Sequence, residues 1–119
     1  MGTPARRATR RRVDAKGTGG ASPRLKPVHP GQVLQLDFLE PMGVSAYRLA
    51  KETGVSAQQI GRVIAGTRGV SADLALRLAR FFGTSAEVWV NLQARYDLDA
   101  AEDESGAEIE RRVRPFKAA

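Results

Sequence analysis

Between Pro30 and Leu98 the chain is cut into short lengths by serines that open helical periodicity and glycines that close it. This punctuation constrains the fold more than any other feature. His29-Pro30-Gly31-Gln32 starts the first length: proline suits the first helical position, and Gln32, at the third, is placed to reach back. Val33, Leu34, Leu36, Phe38 and Leu39 follow, and Pro41 and Gly43 are expected to stop the helix. Ser45 caps a second helix with Leu49 and Ala50 on its buried side, ending at Gly54. Ser56 caps a third, Ala57 to about Ala65, with Ile60, Val63 and Ile64 apolar and Gly66 at its end. Ser71 caps a fourth, with Asp73 complementing the dipole, Leu74, Leu78 and Phe82 at i, i+4, i+8, and Gly83 as the stop. Ser85 caps a fifth, with Trp89, Leu92 and Tyr96 at helical spacing. No segment reads as a strand, so the expectation is an all-α domain of five helices over residues 29–98.

The residue inventory then removes whole classes of function. A chain of 119 residues has room for one compact domain. It has no cysteine, which excludes disulfides, thiolate zinc sites, iron–sulfur clusters and a cysteine nucleophile. The single histidine, His29, cannot build a His-based metal site or a His–His acid/base pair, and reads as a helix-entry residue. No nucleophile–base pair can be assembled, so no catalytic residue, metal or cofactor is expected, and the chain is read as a binder rather than an enzyme. No apolar run nears the ~18 residues of a membrane span, and no signal-peptide core is present; the expected compartment is the cytoplasm.

Charge is unevenly distributed. Residues 1–29 carry eight basic side chains against Asp14, a net of +7, whereas residues 30–98 come to +1 and residues 99–119 to −2. The first 28 residues, rich in Arg, Gly and Pro and poor in large apolar side chains, are expected to be a disordered basic arm. They are acid-poor like a transit peptide but lack its amphipathic pattern; a phosphate-binding arm and a solvated tail remain open. Residues 99–119 read as a C-terminal tail in which Ser105-Gly106 interrupts any helix.

The stretch SAYRLAKETGVSAQQIGRVIAGTR, residues 45–68, sets two helices of about eight residues around Thr53-Gly54-Val55. A three-residue turn with glycine between two short helices is the helix-turn-helix arrangement, whose second helix lies in the DNA major groove. Ala50 lets the helices approach, and Val55, Ile60 and Val63 pin the second one down. Ser56, Ala57, Gln58, Gln59, Gly61 and Arg62 are left facing outward. Gln can bond adenine N6/N7, and Arg can bond guanine O6/N7, each bidentately.

From His29 to about Leu98 the chain resembles the HigA-type antitoxins, within the broader Cro and phage-repressor helix-turn-helix superfamily. The resemblance is carried by HPGQVLQLDFLEPMGVSAYRLAKETGVS and IAGTRGVSADLALRLARFFGTSAEVWVNLQARYDL. It implies an antitoxin that neutralises a RelE-like mRNA-cleaving toxin and represses its own operon, as a homodimer on a palindromic double-stranded operator. It also implies that Ala57, Gln58, Gln59 and Arg62 face the bases, and that Ser45, Ser56, Thr67 and Arg68 meet phosphates. Ala46 stands where many phage-type repressors place a phosphate-touching glutamine.

Blander readings stand beside these. Gln58 and Gln59 could be a solvated helix face and Arg62 an ion-pair partner. Trp89, Leu92 and Tyr96 suit core or a dimer interface, to which the last helix is expected to contribute. Arg77 and Arg80 read as a solvated face. A stand-alone regulator without a toxin, or a protein-interaction module on the same fold, are the alternatives; the near-neutral +1 domain favours the last.

Overall fold

The computed structural model describes residues 27–117. The expected basic arm, residues 1–28, lies outside it except for Pro27 and Val28, which carry no regular structure. Every regular element among the described residues is helical. The first helix, α1, runs as an α-helical turn, Pro30–Val33, a π-helical stretch, Leu34–Leu39, and a final turn, Glu40–Met42. Four more follow: α2 (Ala46–Thr53), α3 (Ala57–Ala65), α4 (Ala72–Phe82) and α5 (Ala86–Arg112).

The serine caps form as expected. Ser45, Ser56, Ser71 and Ser85 each accept the backbone N–H three residues on, from Arg48, Gln59, Leu74 and Val88, at 3.0 to 3.2 Å. Each such bond satisfies a donor that the helix itself leaves orphaned, an effect of about 1 kcal/mol.

The two ends of α1 differ from the sequence reading. Its N-terminus is not held by Gln32, which is exposed. Instead the His29 imidazole Nδ1 accepts the Gly31 N–H at 2.9 Å, so the residue before the proline supplies the cap. At the other end Pro41 does not stop the helix, which continues to Met42 and closes at Gly43. Proline offers no N–H and its ring clashes with the carbonyl four residues back. The π turn ahead of it, where the Glu40 N–H reaches Gln35 O five residues back, widens the helix and accommodates that ring.

The core gathers one stripe from each helix: Leu34 and Leu39, Leu49 and Ala50, Ile60 and Val63, Leu74, Ala75 and Leu78, and Trp89, with Val70 from the loop before α4. The Trp89 indole is fully buried, with the Phe38 ring at 5.1 Å and the Phe82 ring at 6.3 Å between centroids. Its N–H donates to Thr84 Oγ1 at 2.9 Å, so the one polar atom it buries is satisfied. Of core and dimer interface, Trp89 is core.

Helix α5 runs straight through Ser105-Gly106 to Arg112, against the expected interruption. One glycine costs a helix about 1 kcal/mol relative to alanine. Here Ala, Glu and Arg neighbours and the i,i+4 pairs Arg95–Asp99 (3.1 Å) and Glu108–Arg112 (3.4 Å) offset it. At 27 residues α5 is about 40 Å long. No helix among the described residues is long and apolar enough to cross a membrane.

His29 makes the fold sensitive to pH. Its pKa lies below the ordinary 6.5, because burial disfavours the imidazolium more than nearby Asp97 favours it. The folded state therefore binds fewer protons than the unfolded chain as pH drops past 6.5. Stability is fully present above that pH and declines as pH falls through the lowered folded value, where Nδ1 ceases to accept the Gly31 N–H. We expect the urea midpoint to fall more between pH 7.5 and 5 in the wild type than in His29→Asn, which retains a capping oxygen. Equal losses would exclude this role for His29.

Candidate nucleic-acid interface

The turn between α2 and α3 is built by local chemistry. Gly54 takes a left-handed φ of 73°, which a side chain would resist, and the Val55 N–H bonds back to Ala50 O at 3.0 Å. Ala50, 4% exposed, lets the helices close on each other. Ile60 and Val63 seat the inner face of α3 in the core at 0% exposure. A helix fixed on that face presents the opposite one as a rigid surface.

That surface holds most of the residues nominated from sequence. Ala57, Gln58 and Arg62 are exposed on α3, with exposed Gly61 between them. Gln58 and Arg62 stand at i,i+4, one above the other. Gln59 is half-buried and lies at the margin of the face rather than within it. Arg62 makes no ion pair among the described residues.

The four phosphate candidates are exposed as well. Ser45 and Ser56 use a hydroxyl lone pair to cap their helices, which leaves each O–H hydrogen free to donate to an anion. Thr67 is tied to the end of α3: its N–H and hydroxyl both reach Arg62 O, at 2.9 and 3.3 Å. Arg68 follows it in the same loop. Ala46, half-buried, has no group to offer a phosphate.

The Helix-turn-helix family model matches residues 37–89, which include α2, α3 and α4 entire. The chain is 47% identical over 77 residues to virulence-associated protein I of Dichelobacter nodosus, spanning 65% of this chain and 71% of that protein. It is 39% identical over 74 residues to antitoxin HigA-1 of Vibrio cholerae, spanning 61% of this chain and 69% of that one. The solved structure of Pseudomonas aeruginosa antitoxin HigA with the higBA promoter superposes with a TM-score of 0.75 at 41% identity. That match covers 76% of this chain and 99% of the other. The chain belongs to the HigA-type antitoxin family.

Two side chains that position the HigA-type interface escaped the sequence reading. Arg77, expected on a solvated face, donates from Nη1 to Thr53 O at 2.7 Å while its Nε holds Asp73 at 2.8 Å. It thereby satisfies a terminal carbonyl of α2 and ties α4 to the turn. Asp73, four residues earlier, was the visible half of that arrangement. Gln93 accepts the Val70 N–H at 2.7 Å through Oε1 and donates to Asp97 at 2.9 Å. It anchors the far end of the loop carrying Thr67 and Arg68 onto α5. Its polar character on a helix read for apolar spacing hid it. Among the described residues no group of three or more His, Asp or Glu could hold a metal ion.

Proposed function

We propose that this chain is a sequence-specific DNA-binding antitoxin that represses its own operon and neutralises a RelE-like mRNA-cleaving toxin in the cytoplasm. The observation that carries the DNA half is the exposed Ala57, Gln58, Arg62 face on a helix whose opposite side is locked into the core. It lies in a fold shared at 41% identity with an antitoxin solved together with its promoter. In this reading Gln58 and Arg62 read base edges, Ala57 faces the bases, and Gln59 contributes from the margin. Ser45, Ser56, Thr67 and Arg68 hold the backbone in register.

Two copies related by a two-fold axis would set their recognition helices about 34–36 Å apart, on successive major grooves of a palindrome. Trp89 is committed to its own core, so α5 would contribute to that dimer through exposed Val90 and Leu98. The toxin half rests on family membership. It is tested by co-purification with the product of a short basic reading frame beside the gene.

A nuclease footprint on the flanking DNA at fixed near-physiological salt, wild type beside Gln58→Ala/Arg62→Ala, tests the repressor reading. Each bidentate contact is worth about 1–3 kcal/mol of discrimination. The double variant is therefore expected to bind at least 100-fold more weakly and to lose a protected palindrome with half-sites one turn apart. Identical, salt-sensitive protection in both would exclude α3 as the reader. It would favour the protein-interaction module, to which the +1 net charge of residues 30–98 already points.

A further inference from the structure

The folded domain supplies little of the charge that a duplex attracts. Residues 30–98 carry seven basic and six acidic side chains. Three of those cations are already engaged, Arg48 with Glu52, Arg77 with Asp73 and Arg95 with Asp99. The cations are concentrated instead in residues 1–26, where Arg6, Arg7, Arg10, Arg11, Arg12, Lys16, Arg24 and Lys26 face one acid, Asp14.

The structure shows where that segment is rooted. The start of α1 is pressed against the end of α3: a Cβ on Gly31 would overlap the Val63 carbonyl oxygen. A Cβ on Gly66, the residue that closes α3, would lie 3.9 Å from the His29 ring. His29 is held in turn by its bond to the Gly31 N–H and by the Tyr96 ring at 4.8 Å between centroids. Residues 1–26 therefore leave the domain beside the loop that carries Thr67 and Arg68, the nominated phosphate contacts at the end of the recognition helix.

We infer that residues 1–26 are a second DNA-contact element, an arginine-rich arm that binds the duplex backbone beside the groove occupied by α3 without reading its bases. The inference rests on the DNA-binding reading above. Guanidinium groups suit it, because they bond phosphate oxygens bidentately and release condensed counterions. Reach is ample: a chain spans at most about 3.3–3.6 Å per residue, so the stretch from Arg12 to His29 can extend roughly 55–60 Å. That exceeds one turn of duplex on either side of the root.

The test compares the full chain with a full-length variant in which Arg6, Arg7, Arg10, Arg11 and Arg12 are all glutamine. Binding is measured to the flanking DNA and to an unrelated 30-base-pair duplex, about three turns long, across a KCl titration. With about 0.9 units of log–log salt slope per phosphate, loss of four contacts flattens the slope by about 3–4. Affinity near physiological salt is expected to fall at least tenfold on both duplexes, and the all-lysine variant should restore the slope. Because the chain has no cysteine, Thr9→Cys can carry a single iron chelate. Its cleavage should cluster just outside each protected half-site. An unchanged slope, or cleavage scattered along the duplex, overturns the arm. Protection without a slope difference removes the arm and keeps the recognition helix. A slope difference without base-specific protection keeps the arm and removes the recognition helix.

Discussion

Trp89→Ala is expected to lose about 3–5 kcal/mol of stability, the range for truncating a fully buried large aromatic. Natural domains hold only about 5–15 kcal/mol, and a small one sits toward the low end. The variant should therefore be substantially unfolded at 37 °C. Trp89 is the only fully buried aromatic and joins α1, through Phe38, to α4, through Phe82. Its removal opens a cavity between three elements rather than beside one. Because this is the only tryptophan, helical circular dichroism during urea unfolding is the suitable readout. Trp89→Phe refills most of that space and leaves the Thr84 hydroxyl without the indole donor, so it should keep a cooperative transition at a cost of about 1–2 kcal/mol. An alanine variant within about 1 kcal/mol of wild type would mean the side chain is not the keystone of the core.

Gly31→Ala is the second large effect, and its sign is diagnostic. Inside a helix, alanine ordinarily stabilises relative to glycine by roughly 0.5–1 kcal/mol. At Gly31 the added carbon would sit 1.7 Å from Val63 O and 2.6 Å from Val63 C. Those are backbone atoms, and no rotamer change can move them aside. Overpacking costs about 1–3 kcal/mol and occasionally more; with a backbone neighbour we expect a loss of about 3 kcal/mol. The last turn of α3 must shift to admit the methyl group, so the fraction that remains folded should also bind DNA more weakly. Gly106→Ala is the control: its nearest neighbour would be the Glu102 side chain at 3.9 Å. There the ordinary helix preference should appear as a small gain in the urea midpoint. A stabilising Gly31→Ala would mean that α1 and α3 do not meet as described.

The two glycines illustrate what could be read from the chain alone. Each helix start at Ser45, Ser56, Ser71 and Ser85 is a bond spanning three residues, and each stop at Gly43, Gly54, Gly66 and Gly83 is a local backbone state. Such features depend on near neighbours in sequence, and so the ranges of α2, α3 and α4 were legible before any tertiary contact was known. The inward set Ile60 and Val63 and the outward set Gln58 and Arg62 follow from the same 3.6-residue period.

Features that depend on how the helices cross were not legible. Gly31 looks like any glycine until Val63, thirty-two positions later in the chain, is brought against it. Arg77 and Gln93 read as surface residues because their partners, Thr53 O and the Val70 N–H, lie 24 and 23 residues away. Trp89 could be assigned to core rather than interface only once Phe38 and Phe82 closed around it, and Gln59 moved to the edge of the reading face for a similar reason. The run of α5 through Ser105-Gly106 shows the converse, a breaker outweighed by helix formers on both sides. Residue order determined the elements and their faces, because caps, stops and periodicity act within a turn or two. The packed structure decided the register between elements, because that depends on the volumes and polar groups that distant segments bring to one place.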